Sequence, residues 1–296
     1  MNILITGGTG FIGKNLIENF NKNKKYEVFS PTHDELEIMD SIAVRNFIKN
    51  NKINIVIHSA VKNGDNEFNN ILKMFFSICQ SIDLIDKFIN FGSGAEFGKT
   101  RDLKKITEKE IGKYLPKDDY GLAKLICTLS TKNNKKIVHL RPFGIFGKYE
   151  DYRFKFISNT IVKNLMGLPI KIKQNVLFDY LYIDDLFPVV EFFIKNTDKY
   201  GDFNITPNNS IDLKEIAEII NSFGKNKSEI ILDNLGNNYQ YTGSNKKIKK
   251  LLPEIKFKAY KKSIGYLYEY YLLNLKDINK YDIVKDEYLL KSKIRK

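Results

Sequence analysis

The feature that most constrains the fold of this chain is its first seventeen residues, where a short apolar stretch runs directly into three evenly spaced glycines. Asn2 to Thr6 predicts a buried strand, because its residues are mostly apolar and β-branched. Gly7, Gly10 and Gly13 follow, and Lys14 to Ile17 opens a predicted helix. A strand, a glycine turn and a helix N-terminus in this order suit the phosphates of a dinucleotide, because free N–H groups at the helix end face the anion.

The spacing of these glycines leaves two interpretations open. They stand three residues apart, whereas the usual dinucleotide fingerprint is G-x-G-x-x-G. In a nucleotide site, Gly7 would make the tight turn, Gly10 would let the backbone approach a pyrophosphate, and Gly13 would let the helix pack closely on the sheet. An ordinary strand-to-helix turn has the same composition, so the glycines favour a dinucleotide site without establishing it.

The composition is that of an ordinary globular protein. The chain has 296 residues, of which 43% are hydrophobic and 28% are charged, and this length is enough to bury a sizeable core. The formal net charge is +13, but only five of the 48 basic residues are arginine, and the lysines are spread along the chain. This pattern is typical of solvated faces, so we expect no nucleic-acid partner, although a basic surface attracts anionic substrates.

The two cysteines form neither a disulfide framework nor a metal-ligand spacing. Cys79 and Cys127 both lie in apolar helical patterns, which favours buried thiols in a reducing compartment. The chain has no signal-peptide pattern and no apolar run long enough to span a bilayer. We therefore expect a cytoplasmic protein with no metal and no membrane partner.

Strands and helices alternate over the first half of the chain, which predicts an α/β fold with a doubly wound parallel (Rossmann) sheet. The continuous apolar strand 54–58 is typical of a parallel strand covered on both faces. The predicted strands are 2–6, 26–30, 54–58, 87–91 and 136–140, and the helices include 41–50, 67–82 and 119–132. In such sheets the ligand lies beyond the carboxyl ends of the strands.

The pattern loosens after about residue 150, where we expect a smaller α/β C-terminal substrate lobe. We assign 1–150 to a dinucleotide-binding domain and 151–275 to the substrate lobe, with 176–206 returning to the main sheet; 276–296 has no assigned role. The predicted helices of this half are 156–166, a helix capped by Asp184 and Asp185 that runs to Lys195, 210–223, 245–252 and 259–275. The predicted extended segments are 170–175, 179–183, 203–205 and 229–232.

Tyr120 and Lys124 carry the second chemical signal, because residues at i and i+4 share one face of a helix. The ordinary pKa of a phenol is about 10, and a nearby ammonium favours the phenolate, so we expect Lys124 to lower the pKa of Tyr120. Ser93 follows the strand 87–91, where its hydroxyl would hold a carbonyl oxygen while Tyr120 exchanges a proton. Tyr–x–x–x–Lys is also common by chance on exposed helices.

Together these residues resemble the extended short-chain dehydrogenase/reductase family, whose members act on nucleotide sugars. The resemblance covers nearly the whole chain. The motifs that carry it are Thr6–Gly13, Val56–Ala60, Gly92–Gly98, Tyr120–Lys124, Arg141–Gly147 and Tyr182–Asp185. The stretch Asp34–Val44 looks most like the GDP-fucose synthase branch, which reduces a 4-keto sugar.

The resemblance implies hydride transfer between a nicotinamide and C4 of a sugar, with Ser93, Tyr120 and Lys124 as the catalytic residues. Lys124 would also hold the nicotinamide ribose. The implied cofactor-binding residues are Gly7, Thr9, Gly10, Phe11, Ile12, Gly13, Thr32, His33, Asp40, Ser41, Ser59, Ala60, Tyr120, Lys124 and Pro142. The implied substrate-binding residues are Ser93, Gly94, Ala95, Gly144, Lys155 and Phe178.

Departures from the family pattern narrow the reaction. The branch that epimerises has a Cys where this chain has Ala95, and a His near the position of Lys155, whereas no His follows His139. The 4,6-dehydratases have an Asp-Glu pair where Gly94 and Ala95 stand. We therefore predict reduction of a C4 ketone without epimerisation at C3 or C5. A 4-epimerase with tightly held NAD and a non-catalytic, redox-sensing member remain as alternatives.

The resemblance leaves the nucleotide open, because the family has an Arg on the diphosphate at the position of Phe178 and an Asn at the position of Gly144. The candidates for a cation that replaces the lost charge are Arg153, Lys171, Lys173 and Lys246. Ser30 to His33 has no acidic residue for the adenosine ribose of NAD. We favour NADP, with NAD as the alternative and His33 as the candidate phosphate contact.

The resemblance also implies a homodimer. Its interface would be a four-helix arrangement made by the predicted helices 67–82 and 119–132 of each copy. The implied metabolic setting is the biosynthesis of a surface polysaccharide.

Overall fold

The computed structural model describes residues 1–62, 64–225 and 227–295. Its strands are β1 (Asn2–Thr6), β2 (Glu27–Phe29), β3 (Ile55–His58), β4 (Lys87–Phe91), β5 (Leu103–Ile106), β6 (Ile137–Pro142), β7 (Gly144–Phe146), β8 (Ile170–Ile172), β9 (Leu177–Phe178), β10 (Tyr180–Tyr182), β11 (Gly201–Ile205), β12 (Ile211–Asp212), β13 (Ile230–Leu232) and β14 (Tyr241–Gly243). Its helices are α1 (Phe11–Asn21), α2 (Ser41–Asn50), α3 (Glu67–Cys79), α4 (Asp119–Ser130), α5 (Phe156–Leu165), α6 (Phe187–Lys195), α7 (Leu213–Phe223), α8 (Lys246–Leu251), α9 (Tyr260–Leu273), α10 (Lys280–Lys285) and α11 (Glu287–Lys291).

The main sheet has six strands in the order β2-β1-β3-β4-β6-β11. Every neighbouring pair in it is parallel. The strand order reverses direction at β1, so the crevice between the carboxyl ends of β1 and β3 is the expected ligand position for such a sheet. The predicted α/β class with a parallel Rossmann sheet is confirmed.

Helices cover both faces of this sheet, because successive side chains of each strand point in opposite directions. On β1, Ile3 and Ile5 face one layer and pack with Leu16 and Phe20 of α1. Leu4 faces the other layer, which α2, α3 and α4 cover. Each strand is therefore apolar along its whole length, which is why the sequence has continuous apolar runs rather than alternation.

The remaining strands form three small sheets with the orders β12-β9-β14-β5, β10-β7 and β13-β8. β5 lies shortly after the end of β4 in the chain, yet it pairs with β14 from the far C-terminal half. β11 also comes from the second half of the chain and lies at the edge of the main sheet beside β6. The two halves of the sequence therefore interlock at the carboxyl ends of β4 and β6. No helix of the described residues is both long enough and apolar enough to cross a membrane.

Several predicted boundaries need correction. Helix α1 begins at Phe11, three residues before Lys14, because Gly10 is its N-cap. Asp184 and Asp185 do not cap α6, whose N-cap is Leu186 without a side-chain hydrogen bond. The backbone N–H of Lys258 and its ammonium instead donate to Asp185, at 2.7 and 2.6 Å.

Three further segments differ from the prediction. The predicted strand 179–183 begins one residue later, at Tyr180, because the carboxylate of Asp179 turns inward, where it accepts hydrogen bonds from Lys105 at 3.0 Å and from Ser210 at 2.6 Å. The extended segment 170–175 is strand only as far as Ile172. The C-terminal segment contains α10 and α11, which the sequence did not predict.

Candidate active site

The glycine turn joins β1 to α1 at the carboxyl edge of the sheet. Gly7 has φ +74, and a Cβ there would lie 2.6 Å from the backbone N of Ala60, so only glycine fits. The N–H of Gly10 donates to the carbonyl of Gly7 at 3.0 Å, and Gly10 carries no side chain at the N-cap of α1. Ser59, at the end of β3, donates its hydroxyl to the carbonyl of Thr6 at 2.8 Å. The turn and the end of β3 thus form a backbone-lined crevice at a helix N-terminus.

A buried charge network holds Ser93 in place just after β4. Glu96 accepts a hydrogen bond from the N–H of Ser93 at 2.8 Å, and Ser93 Oγ accepts one from the N–H of Ala95 at 3.2 Å. The other oxygen of Glu96 accepts two hydrogen bonds from Arg141, at 2.8 and 2.9 Å, and neither side chain has exposed area. The buried Arg141 therefore fixes the turn that presents the Ser93 hydroxyl.

Tyr120 and Lys124 lie on α4, where Asp118 caps the first turn by accepting from the N–H of Gly121 at 2.9 Å. The ammonium of Lys124 is buried and donates to the carbonyl of Phe91, at the end of β4, at 2.8 Å. It lies 5.9 Å from the centre of the Tyr120 ring. Helix α4 is thereby tied to the strand that precedes Ser93.

The expectation that Lys124 lowers the pKa of Tyr120 is wrong for the chain without a bound cofactor or substrate. Burial raises the pKa of Tyr120 to about 12, and a hydrogen bond from Ser93 offsets only part of that shift. Burial also lowers the pKa of Lys124. The low-dielectric surroundings therefore favour the neutral form of each group, and Tyr120 is a protonated phenol at neutral pH.

Tyr241 is a neighbour of Ser93 that the sequence analysis missed. Its hydroxyl lies within hydrogen-bonding reach of Ser93, as the Tyr120 hydroxyl does. It comes from β14, and its ring packs on Phe143 with centroids 5.0 Å apart. Burial raises the pKa of Tyr241 well above the ordinary value. No local pattern marks this residue, because only the pairing of β14 with β5 brings it to the site.

A cavity of about 620 Å³ opens in front of these hydroxyls. The residues that were assigned to the site from the sequence and that line this cavity are Ile12, Ser59, Ser93, Tyr120, Lys124, Pro142, Gly144, Lys155 and Phe178. The glycine-turn residues Gly7, Thr9, Gly10, Phe11 and Gly13, together with Ala60, lie in the crevice beside it. Gly94 and Ala95 lie behind Ser93, and Ala95 is fully buried. The structure does not place Ala95 where a ligand in the cavity would touch it.

The sequence predicted no acidic group at the end of β2, but the structure places the carboxylate of Glu35 there. Glu35 folds back so that its carboxylate accepts from the N–H of Thr32 at 2.7 Å and from its hydroxyl at 3.0 Å. His33 is exposed, and its ring nitrogen lies 3.5 Å from a carboxylate oxygen of Glu37. An acidic group is therefore present at this edge, although no acidic residue stands in the four positions that follow the strand.

Asp40 and Ser41, the other two residues assigned to the cofactor, lie at the start of α2. Asp40 is the N-cap of this helix and accepts hydrogen bonds from the N–H groups of Ile42 and Ala43. Ser41 is the first helical residue.

The substrate side of the cavity explains the two departures from the family pattern. A Cβ on Gly144 would lie 2.8 Å from the ring of Tyr180, so this aromatic side chain occupies the space that a larger residue would need. Phe178 stacks beside Tyr180 with ring centroids 5.0 Å apart. This wall is aromatic and carries no charge.

The four cations proposed from the sequence to replace the missing charge do not line the cavity. They are Arg153, Lys171, Lys173 and Lys246. Arg153, for example, pairs with Asp151 at 2.7 Å. Besides Lys124, the lysines that line it are Lys99, Lys155 and Lys293, and of these three only Lys155 was assigned to the site from the sequence.

Glu150 is the one carboxylate among the described residues that line the cavity. It is 6% exposed and accepts a hydrogen bond from Ser158 at 2.6 Å. Burial raises the pKa of Glu150 to about 8, so it is mainly protonated at neutral pH. The sequence analysis missed this residue because nothing in the local pattern shows that it is buried.

The buried histidines are structural. His58 and Thr6 share a hydrogen bond of 2.7 Å, and His139 lies 3.0 Å from the amide of Asn90. Burial lowers the pKa of each ring to about 3, so both are neutral. Among the described residues no three His, Cys, Asp or Glu side chains are grouped to hold a metal ion.

A parallel Rossmann sheet with a glycine turn after its first strand, and with Ser, Tyr and Lys side chains on one wall of a cavity, defines a class of dinucleotide-dependent enzymes. The family model for the NAD dependent epimerase/dehydratase family matches residues 3–206. The chain belongs to this family, and the resemblance inferred from the motifs is confirmed.

Two curated relatives span most of the chain. An ADP-L-glycero-D-manno-heptose-6-epimerase of Brachyspira hyodysenteriae is 26% identical over 264 residues, which are 76% of this chain and 82% of the relative. A GDP-L-colitose synthase of Yersinia pseudotuberculosis is 25% identical over 232 residues, which are 67% of this chain and 74% of the relative.

Solved structures share the fold. The GDP-mannoheptose C4 reductase from Campylobacter jejuni, with NADP bound, has a TM-score of 0.78 at 20% identity, covering 92% of this chain and 98% of that one. A GDP-L-fucose synthetase from Naegleria fowleri bound to NADP has a TM-score of 0.81 at 19% identity, covering 94% and 95%.

Proposed function

We propose that this enzyme reduces the C4 ketone of a nucleotide-activated 4-keto-6-deoxy sugar with NADPH, without epimerisation at C3 or C5. The observation that carries the proposal is the convergence of Ser93, Tyr120 and Lys124 on one wall of a cavity large enough for a sugar ring. The relatives named above act on nucleotide-linked sugars, which supports a substrate of this class.

The crevice beside the cavity suits a dinucleotide. The glycine turn leaves room where a Cβ at Gly7 would collide with Ala60, and the N-terminus of α1 offers free N–H groups to a pyrophosphate. Ile12 and Ser59 connect this crevice to the cavity, since both line it. Bound NADPH would supply the hydride, and Lys124 would hold the nicotinamide ribose. Both neighbouring structures described above contain NADP, which supports this choice of cofactor.

The protonation state of Tyr120 suits it to donate a proton after hydride transfer. Addition of hydride to a ketone leaves an alkoxide, which needs a proton donor. A phenol whose pKa burial raises to about 12 holds its proton at neutral pH and is ready to donate it to the sugar oxygen. Ser93, fixed by Glu96, would hydrogen-bond the same oxygen and stabilise its developing charge.

Epimerisation next to the ketone would need a base that removes a carbon-bound proton. Ala95 has no ionisable group and is fully buried. Glu150 lines the cavity, but with a pKa of about 8 it is mainly protonated at neutral pH, and Ser158 holds one of its oxygens. The cavity therefore supports ketone reduction better than epimerisation at C3 or C5.

One observation favours the second candidate, a 4-epimerase with tightly bound NAD. The Glu35 carboxylate lies at the end of β2, where an acidic group accepts hydrogen bonds from the adenosine ribose of NAD. A 4-epimerase would use the same Ser93, Tyr120 and Lys124 in both directions and would turn over without added cofactor.

The deciding experiment follows NADPH and NADH oxidation by absorbance with GDP-, CDP- and dTDP-linked 4-keto-6-deoxy sugars. We expect oxidation of NADPH with one nucleotide series, and Tyr120→Phe should reduce the rate at least about a hundredfold. If no keto sugar reacts and an ordinary nucleotide hexose is converted to its C4 epimer without added cofactor, the enzyme is the epimerase instead. If no substrate is turned over and Tyr120→Phe leaves every other assayed function unchanged, the non-catalytic, redox-sensing alternative is favoured.

We further propose a cytoplasmic homodimer that acts in surface-polysaccharide synthesis. Helices α3 and α4 lie together on one layer of the main sheet and offer a continuous two-helix face for a second copy. Light scattering during gel filtration tests the homodimer, since a monomer mass at micromolar concentration would contradict it.

A further inference from the structure

Three lysines converge on the cavity without a counter-ion. Lys99, Lys155 and Lys293 all line it, and in the described part of the chain none of their ammonium groups has an ion-pair or hydrogen-bond partner. The one contact of the Lys99 ammonium is with the face of the Tyr120 ring, 5.6 Å from its centre. All three residues are exposed to solvent, and although they come from separate parts of the chain they line the same cavity.

These lysines are close enough to repel one another. Burial lowers the pKa of Lys99, and the charges of Lys155 and Lys293 lower it further, although Asp118 and Glu67 act in the opposite direction. Like charges that line one cavity raise the free energy of the empty site. A bound anion removes that repulsion, so the cluster favours a ligand that carries negative charge.

The end of the chain supplies the third lysine and is fastened to the rim of the cavity. The carbonyl of Lys293 accepts a hydrogen bond from the Asn238 amide at 2.7 Å. Two residues later, the N–H of Arg295 donates to the side-chain oxygen of Gln174 at 2.8 Å, and its guanidinium lies 3.4 Å from Asp102. These contacts fix the last described residues beside Asn238, which also lines the cavity.

The start of the same segment is anchored on α5. Lys163 and Asp286 form a largely buried ion pair of 2.6 Å. Tyr288, which also lines the cavity, packs against Phe156 with ring centroids 5.4 Å apart. Residues 286–295, here called the C-terminal clamp, are thus held at both ends and face the cavity with Tyr288 and Lys293.

We propose that the C-terminal clamp is part of the substrate site, and that Lys293, Lys99 and Lys155 together bind the phosphate groups of the activated sugar. That the substrate is a nucleoside diphosphate sugar is taken from the proposed function, on which this proposal rests. A diphosphate carries two negative charges or more, and the opposite wall, with Phe178 and Tyr180, offers no cation to meet them.

A cofactor phosphate could also attract these lysines, but the geometry favours the substrate. The crevice suited to the cofactor pyrophosphate lies at the glycine turn, whose glycines do not line the cavity. The end of β2, where a 2′-phosphate would lie, contains Thr32 and Glu35 and is likewise not part of the cavity wall. Binding measurements on both ligands separate the two sources.

The test uses calorimetric titration of the full-length chain with GDP, CDP, dTDP and inorganic pyrophosphate, in the presence of saturating NADP⁺. We expect at least one nucleoside diphosphate to bind, and Lys293→Gln to weaken that binding about tenfold. Lys293→Arg should retain most of the affinity, and raising the salt concentration should weaken the wild type more than Lys293→Gln. Lys280→Gln, which removes the same charge from α10 outside the cavity, is the matched control and should bind like the wild type.

The proposal is overturned if Lys293→Gln binds the nucleoside diphosphates as tightly as the wild type, or if the wild type binds none of them. It is also overturned if the substitution weakens NADP⁺ binding instead, because the lysines would then serve the cofactor. None of these measurements needs turnover. If binding depends on Lys293 and yet no keto sugar is reduced, the phosphate-binding role of the C-terminal clamp is supported and the proposed reductase activity is wrong.

Discussion

The two walls of the cavity are built in different ways. The wall at the carboxyl ends of the main sheet holds Ser93, Tyr120 and Lys124, each fixed by a buried hydrogen bond or a capped helix. The opposite wall is made of aromatic rings from β9, β10 and β14, to which the C-terminal clamp adds Tyr288 and Lys293, and these elements lie far apart in the chain. The first wall is rigid and suited to chemistry, whereas the second is the part that can set which nucleotide and sugar fit.

The largest effect should come from the rigid wall. Glu96→Gln would leave the fully buried Arg141 with a weakened counter-ion, and we expect a loss of about 3–5 kcal/mol in the free energy of unfolding. Urea denaturation measures this. Glu110→Gln removes a carboxylate from an exposed pair with Lys113 and should change stability by less than about 0.5 kcal/mol. Equal losses in the two variants would mean that the buried network does not fix the Ser93 turn.

Glu150 gives a prediction for the dependence of stability on pH. Its folded-state pKa of about 8 lies above its ordinary value of 4.5, so the folded protein retains a proton that the unfolded chain releases. The contribution of this proton to the free energy of unfolding is fully present below pH 4.5 and is lost as the pH rises through 8. At about 1.4 kcal/mol per pH unit, the loss amounts to a few kcal/mol.

Glu150→Gln should flatten this decline, whereas Glu110→Gln should retain it. The measurement is the free energy of unfolding in urea at several pH values between 5 and about 8.5. A decline that is unchanged in Glu150→Gln would show that another group carries it.

Tyr241 tests how far the opposite wall assists the chemistry. Tyr241→Phe removes one of the two tyrosine hydroxyls within reach of Ser93, and we expect kcat to fall about fivefold, the cost of one neutral hydrogen bond. Tyr239→Phe, on the same wall but away from Ser93, should leave kcat unchanged. If the two substitutions have the same effect, Tyr241 contributes shape rather than a hydrogen bond to Ser93.

The smallest expected effect concerns cofactor choice. Glu35→Gln removes the negative charge beside Thr32 at the end of β2, so the KM for NADPH should fall about threefold while that for NADH stays the same or rises. Initial rates with each cofactor measure this. A larger change with NADH than with NADPH would indicate that Glu35 binds the ribose of NAD.

The sequence predicted the rigid wall well because local patterns build it. The bounds of β1, α2 and β4 agree with the prediction to the residue, since each is an uninterrupted apolar or amphipathic run. The start of α1 was placed too late because Gly13 looked like part of the turn, although it lies in the first turn of the helix.

The opposite wall depends on contacts between distant parts of the chain, which no local pattern records. The strands β5 and β14 are short and partly polar, and they become strands only by pairing with one another. Lys293 follows a segment of mixed lysine and tyrosine that has no recognisable role in the sequence, and only the fold brings Lys293 to the cavity. The effect of Lys124 on Tyr120 was predicted wrongly for the same reason, since burial of both groups is a property of the whole fold.

In the proposed reaction, hydride passes from NADPH to C4 of the sugar. This transfer is tested most directly with NADPH deuterated at the transferred position of the nicotinamide and with the keto sugar that proves active, followed by NMR of the product. We predict one deuterium at C4 and none at C3 or C5 when the solvent is ordinary water. A product without deuterium at C4, or one that takes up deuterium at C3 or C5 from heavy water, would contradict simple ketone reduction.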